Sequence, residues 1–125
     1  MTVHERATRI FVFGSDLAGR HGKSAGALAA LAFHGAIMGQ GVGLQGRSYA
    51  IPTKDHRLVP LPLTVITGHV VTFIAYAQAH QELSFEVTRI GCGLAGYTDH
   101  EIAPLFADAP ANCRLPSGWR GYERE

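Results

Sequence analysis

The hydrophobic positions divide the chain into short apolar runs and longer segments with helical spacing. Residues 9–14, 48–52 and 83–90 are apolar runs of strand length, as is typical of buried strands. Residues 23–34 are rich in alanine and leucine, and residues 63–80 carry apolar side chains three and four positions apart. Both are predicted helices. Strands that alternate with helices favour an α/β sandwich with a mixed, mostly parallel sheet.

Finer features of the pattern predict which surfaces are buried. In the first helix Leu28, Leu31 and Ala32 share one face, and small residues beside them would let the helix lie close to the sheet. The second helix has apolar residues on more than one side, which indicates a second buried face or a partner. A short helix at residues 98–106, a last strand at 113–115 and tail residues Trp119 and Tyr122 packed back on the body complete the expected order.

Composition narrows the class of protein. The 125 residues suit one domain, 1–125, with residues 1–6 and 117–125 flexible or peripheral. Hydrophobic residues make up 46% and charged residues 17%, which argues against disorder. A net charge of +1 gives no general electrostatic case for nucleic acid. No apolar run approaches the roughly 20 residues that span a bilayer, and the start lacks a signal-peptide core. These features predict a cytoplasmic protein without a membrane or nucleic-acid partner.

Two glycine-rich loops are the main candidates for chemistry. Residues 89–97 follow a predicted strand and precede a helix start at Thr98, while residues 14–22 follow the first strand and precede the helix starting at Lys23. Such loops direct backbone N–H groups at an anion, and both would lie at the carboxyl edge of the sheet. The candidate ligand contacts are Gly14, Ser15, Asp16, Gly22, Lys23, Ser24, Ala25, Gly26, Gly91, Cys92, Gly93, Leu94, Ala95, Gly96 and Tyr97.

Other motifs are weaker. Residues 41–46 match G-x-G-x-x-G, but a strand follows them where a dinucleotide fingerprint requires a helix. They form either a flexible connection or a loop that covers a ligand. Residues 22–24 resemble the end of a phosphate-binding P-loop, but Leu17 stands where that motif needs glycine. The segment still offers phosphate binding at a helix N-terminus, with simple capping by Ser24 as the alternative.

Side chains that could carry out chemistry are few. The 7 histidines show no metal-ligand spacing, so no metal or other cofactor is predicted. Cys92 is more typical of a buried small side chain than of a nucleophile. Lys54 and Asp55 follow a strand end, where catalytic groups often sit, although a solvated loop is the alternative.

The order of these parts resembles the macro domain, a fold that binds ADP-ribose and related molecules, across residues 9–115. The branch most like it contains the terminal ADP-ribose protein glycohydrolase. Its second loop reads like residues 89–94, and its catalytic lysine corresponds to Lys54. The chain is also similar to a family of small phage and prophage proteins, through residues 13–15, 17–22 and 90–97.

The resemblance implies a three-layer α/β/α sandwich that binds a diphosphate through its glycine loops. Lys54 would be the nucleophile of a Schiff-base-type reaction. The chain departs from that branch at Ala95, where the branch has the aspartate that completes catalysis. Asp99 could replace that aspartate only if the loop folded back. The aspartate that contacts adenine in many macro domains has Asp16 as its nearest counterpart.

Three functions follow as expectations. The first is binding of an ADP-ribose-type nucleotide or derived signalling molecule, in a phage protein that acts against the defences of its bacterial host cell. The second is an ADP-ribosyl hydrolase that acts on modified carboxylates or esters through Lys54. The third is a protein-interaction module without nucleotide, in which the helix at residues 63–80 is the interface. The chain would be a monomer, or a homo-oligomer formed through that helix.

Overall fold

The computed structural model describes residues 2, 3, 5, 8–21 and 24–122. The strands and helices, in chain order, are β1 Arg9–Asp16, α1 Ala25–Phe33, β2 Gly43–Gln45, β3 Ser48–Lys54, α2 Leu63–Ala79, β4 Ser84–Val87, α3 Asp99–Ile102, a 3-10 turn Ala103–Phe106 and β5 Cys113–Arg114.

The strands form one mixed sheet in the order β2-β3-β1-β4-β5. Strand β1 is parallel to both β3 and β4, and β4 is parallel to β5, whereas β2 is antiparallel to β3. The predicted α/β class with a mixed, mostly parallel sheet is confirmed. Because β1, β3 and β4 run in the same direction, their carboxyl ends meet at one edge of the sheet.

Different helices cover the two faces of the sheet. Neighbouring residues of a strand point to opposite faces, so Val12 and Phe13 contribute to different cores. Phe13 and Ala50 pack against Ala27 and Ala30 of α1. The other face packs against α2 and the C-terminal segment, through a core that includes Val12, Ile51, Ile66, Val70, Phe73, Phe85, Ile102 and Phe106.

Helix α1 lies close to the sheet, as its small residues predict, but the face that carries Leu28 and Ala32 is exposed. Leu28 is 50% exposed, and Ala32 is exposed as well, while Ala27 and Ala30 are buried. The reason is the close approach that small residues permit: a Cβ added at Gly26 would lie only 3.6 Å from the Cβ of Phe13. At this distance alanines fill the space between helix and sheet, and the leucine at position 28 has no room beneath the helix.

The second glycine-rich segment is part of the sheet. Residues 41–46 were expected to form a connecting or covering loop, but Gly43–Gln45 pairs with β3 as the edge strand β2. Gly46 adopts a φ of +58, and a Cβ there would meet the carbonyl oxygen of Gly35 at 2.4 Å. The side-chain amide of Gln40 donates to the carbonyl of Leu44 at 3.0 Å, which occupies a backbone acceptor of this edge strand.

The C-terminal segment packs against the rest of the fold through Trp119 and Tyr122, as predicted. Thr98 caps α3, and Glu101 completes a capping box. The predicted single helix at residues 98–106 changes to a 3-10 turn at Ala103, and Pro104 follows in its first turn. Trp119 is 3% exposed and lies with its ring centroid 5.5 Å from that of Phe106. Tyr122 places its hydroxyl 3.2 Å from Nδ1 of His100.

Helix α2 is buried on one side and apolar on part of the other. Tyr76 contacts the rings of Tyr49 and His80, with centroids 5.4 and 4.2 Å away. Val65 and Val71 are exposed, and a partner at this helix stays a prediction. Within the part of the chain that the structure describes, no helix is both long and apolar enough to cross a membrane.

Candidate functional site

A cleft of about 250 Å³ opens at the carboxyl ends of β1, β3 and β4. It lies where parallel sheets usually bind ligands. The described residues that line it are Gly14, Ser24, Ala25, Gly26, Thr53, Lys54, Thr88, Arg89, Gly91, Cys92, Gly93, Leu94 and Ala95.

The N-terminus of α1 forms one wall. Ser24 is the N-cap, and its hydroxyl accepts from the N–H of Ala27 at 3.2 Å. The N–H groups of Ala25 and Gly26 belong to the first turn, where a helix has no acceptors of its own. At Gly26 this turn lies close to the end of β4, and a Cβ added there would lie 3.7 Å from Oγ1 of Thr88, the residue that follows the strand. This wall therefore offers backbone donors and the positive end of a helix dipole.

The loop after β4 forms the facing wall. It closes on itself, since the N–H of Tyr97 donates to Gly91 at 2.8 Å and that of Gly96 donates to Gly93 at 3.0 Å. Gly91 has a φ of +74, and a Cβ there would lie 3.1 Å from Cδ1 of Ile102. At Gly93 an added Cβ would meet no atom within 4 Å. The loop is thus packed against Ile102 at Gly91 and has open space beside Gly93, which lines the cleft.

Lys54 lies at the floor of the cleft. It is the last residue of β3 and only 7% exposed. No described residue forms a hydrogen bond or ion pair with its side chain, and no acidic residue is among the described lining. Asp16 is its neighbour in the β1–β3 register, but both Asp16 carboxylate oxygens accept from the N–H of Arg20 at 3.2 Å. The cleft is therefore lined by a mostly buried lysine without a described counter-charge.

An ion pair stands at the rim. Arg89 donates through Nε and Nη2 to the two Asp99 oxygens at 2.9 and 2.8 Å, and Trp119 Nε1 donates to Asp99 Oδ1 at 2.8 Å. The bonds from Arg89 and then Trp119 lower the pKa of Asp99, and the same pair raises the pKa of Arg89. The rim thus fixes Arg89 beside the cleft.

Cys92 is a thiol that resists ionisation. Desolvation is the main cause, followed by the charge of Asp99, whose Oδ1 lies 3.7 Å from the sulfur, and together they raise the pKa of Cys92 to about 11. Because a nucleophilic cysteine needs a lowered pKa, the cleft favours the interpretation of Cys92 as a small packing residue.

Most sequence-predicted contacts come together in this cleft. Gly14, Ser24, Ala25, Gly26, Lys54 and the loop residues Gly91, Cys92, Gly93, Leu94 and Ala95 line it. Gly22 and Lys23 lie outside the described residues.

Four predicted residues do not line the cleft, because their groups are used in the fold. The hydroxyl of Ser15 donates to Gly41 at 2.5 Å, and the hydroxyl of Tyr97 donates to Leu61 at 2.5 Å. Asp16 caps the turn that follows β1, and Gly96 closes the turn that begins at Gly93.

Sequence reasoning missed Thr53, Thr88 and Arg89 as lining residues. The two threonines stand at the ends of apolar runs, and a hydroxyl at the carboxyl end of a predicted strand was the signal that could have found them. Thr53 donates to Ser15 at 3.4 Å and Thr88 donates to Val12 at 2.7 Å, so both hydroxyl oxygens keep acceptor capacity.

Among the described residues that line the cleft, none is a carboxylate that could assist Lys54. Ala95 occupies the loop position that the resemblance assigns to an aspartate, and it is buried. Asp99 contacts the loop at Cys92, and its carboxylate is bound by Arg89 and Trp119. Among the described residues, no three His, Cys, Asp or Glu side chains lie together as metal ligands would.

Comparisons with protein-family models, with curated proteins and with solved structures found no match for this chain. Fold and site define it as an α/β protein with a mixed sheet. Its cleft, at the carboxyl edge, combines a buried lysine with backbone donors.

Replacing Asp99 with asparagine is expected to lower the melting temperature by several degrees at pH 7. Asparagine keeps the shape but loses the charge that Arg89 and Trp119 bind. The folded-state pKa of Asp99 lies below its ordinary value of 3.8. The stabilisation of the folded protein by the ionised Asp99 carboxylate is therefore complete above pH 3.8 and is lost as the pH falls through the folded-state pKa. Melting curves of both proteins from pH 7 to 2.5 should converge at the acid end, and a constant difference would contradict this account.

Proposed function

We propose that this protein binds an ADP-ribose-type nucleotide, with the diphosphate in the cleft between α1 and the loop after β4. The observation that carries the proposal is Lys54, a mostly buried lysine that lines the cleft where no described lining residue is acidic. Its positive charge and the backbone donors of the two walls favour a negatively charged ligand.

The diphosphate is held mainly by backbone groups. The first-turn N–H groups of Ala25 and Gly26 face one side, and the loop 91–95 supplies the other. Lys54 adds a charge-assisted hydrogen bond from below, of the kind that contributes about twice as much as a neutral one. These groups are fixed before the ligand arrives, which reduces the entropy lost on binding.

The resemblance to the macro domain supports the same ligand class. On this proposal the sheet and its two covering helices form a macro-like three-layer sandwich. Similarity to phage and prophage proteins extends the proposal to a biological role: sequestration of an ADP-ribose-derived defence signal in the cytoplasm of a bacterial host. This last step is by analogy with family members.

A second candidate is ADP-ribosyl hydrolysis through Lys54. The observation that favours it is the same unpartnered side chain at the cleft floor. In that reaction the neutral amine attacks the ribose C1 carbon and the bond to the modified carboxylate breaks. No described lining residue is a carboxylate that could take the lysine proton or assist departure. Binding is therefore the better supported function.

Isothermal titration with ADP-ribose tests the proposal. We expect saturable one-site binding that inorganic pyrophosphate displaces, because both present a diphosphate to the same donors. Adenosine, which lacks phosphate, should not compete. If neither ADP-ribose nor pyrophosphate binds, the proposal that the cleft is an anion site is wrong. The protein-interaction module without nucleotide is then the remaining alternative.

A further inference from the structure

We infer that the cleft recognises the phosphorylated sugar of its ligand and leaves the base outside, so that binding is independent of base identity. The inference rests on the proposed function. It assigns the ligand class as a phosphorylated pentose that carries any base or none.

The first observation is the size of the cleft. Its 250 Å³ falls below the roughly 300–1,000 Å³ of pockets that bury a drug-sized ligand. ADP-ribose, with two pentoses, two phosphates and a purine, is at least of that size. Since the donors for phosphate and the lysine lie inside the cleft, the enclosed part of the ligand is its phosphate and the adjoining sugar.

The second observation is the chemistry of the lining. Among the described residues that line the cleft there is no aromatic ring on which a base could stack. The ring of Tyr97, the aromatic residue of the loop, is tied by its hydroxyl to Leu61. Arg89 presents a planar group at the rim, fixed by Asp99. Stacking there would accept any base, because every base has a π face.

The third observation concerns Asp16, the carboxylate that the macro-domain resemblance would assign to adenine. Asp16 is 4% exposed, both its oxygens accept from the N–H of Arg20, and it does not line the cleft. Reading a base edge requires directed donors or acceptors. Because Asp16 is buried and lies outside the lining of the cleft, it offers no acceptor to a base bound there.

Groups suited to a sugar are present instead. Thr53 and Thr88 line the cleft, and each donates its hydroxyl proton to a backbone carbonyl, of Ser15 and Val12 respectively. Each oxygen therefore remains an acceptor for a ribose hydroxyl. The cleft thus pairs phosphate donors with sugar-hydroxyl acceptors.

Titrations with ADP-ribose and its hypoxanthine analogue, which differ only in the base, test the inference. We expect their Kd values to agree within about threefold, less than the discrimination that one base-edge contact provides. Ribose 5-phosphate should also bind, and adenosine should not. The inference would be overturned if the hypoxanthine analogue bound about tenfold or more weakly than ADP-ribose. It would also be overturned if ADP-ribose bound and ribose 5-phosphate did not. Either result would leave the proposed function intact.

A variant pair tests the sugar contact separately. Thr53→Val should lower the affinity for ribose 5-phosphate severalfold and leave the affinity for inorganic pyrophosphate unchanged, because only the sugar is proposed to bind the Thr53 hydroxyl. Thr72→Val is the control, since Thr72 is exposed on α2 and its hydroxyl bonds within that helix. Equal loss for both ligands would contradict a sugar contact at Thr53. If neither ADP-ribose nor pyrophosphate binds the native protein, the proposed function and this inference fail together.

Discussion

Replacing Gly93 with valine is expected to abolish ADP-ribose binding while the protein remains folded. Gly93 lines the cleft, has an ordinary φ, and an added Cβ would meet no atom within 4 Å. The valine side chain therefore needs no rearrangement of the fold. It would occupy the open side of the loop, where the diphosphate is proposed to lie, and we expect a loss of about a hundredfold or more, since a displaced phosphate forfeits several charge-assisted bonds. Titration calorimetry measures the loss.

Gly68→Val is the matched control for that experiment. Gly68 lies on the exposed side of α2, and an added Cβ there also meets nothing within 4 Å. It should leave the affinity unchanged. Thermal melting of both variants establishes that they fold. Native affinity in a folded Gly93→Val protein would exclude the loop after β4 from the ligand site.

Replacing Lys54 with methionine is expected to weaken ligand binding and to stabilise the unliganded protein. Methionine has a similar length, fills the same space and carries no charge that must be desolvated. Loss of a charge-assisted hydrogen bond reduces the binding free energy by about 1.5–3 kcal/mol, so the Kd should rise by about tenfold to a hundredfold. The opposite signs of the two effects separate a binding lysine from a structural one. A fall in both affinity and melting temperature would contradict the prediction.

Further substitutions at Lys54 distinguish charge from nucleophilicity. Arginine preserves the cation but cannot attack carbon. If Lys54 serves as a charge, Lys54→Arg should keep much of the affinity that Lys54→Ala loses. The native protein should release little ADP-ribose from a modified substrate and form no adduct that borohydride traps. Trapping at Lys54, with release abolished in Lys54→Arg, would establish the hydrolase instead.

The class of the fold was predictable because it depends on local patterns. Apolar runs of strand length and helical spacing predicted β1, β3, β4, α1 and α2, with errors mainly at the boundaries. Glycine-rich segments after two apolar runs located the cleft. The helix start predicted at Thr98 is present, and there the structure has a capping box with Glu101.

Features that depend on the depth of packing were not predictable from spacing. The alanines of α1 face the sheet because the helix lies close to it, and Leu28 is left outside. Residues 43–45 contain too few apolar positions to indicate a strand, and pairing with β3 decides their structure. In both cases the sequence is compatible with another arrangement, and contacts with the neighbouring element select the observed one.

By itself, the sequence determined the alternation of the main strands and helices, apart from β2, and the two segments between which the cleft lies. The tertiary structure alone decided which polar groups remain available to a ligand. Asp99 is bound by Arg89 and by Trp119, 20 residues further along, and Thr88 is tied to Val12 across 76 residues. Lys54 is isolated because Asp16 turns to Arg20. A buried group's chemistry depends on which partners surround it, and chain segments far apart in sequence bring those partners together.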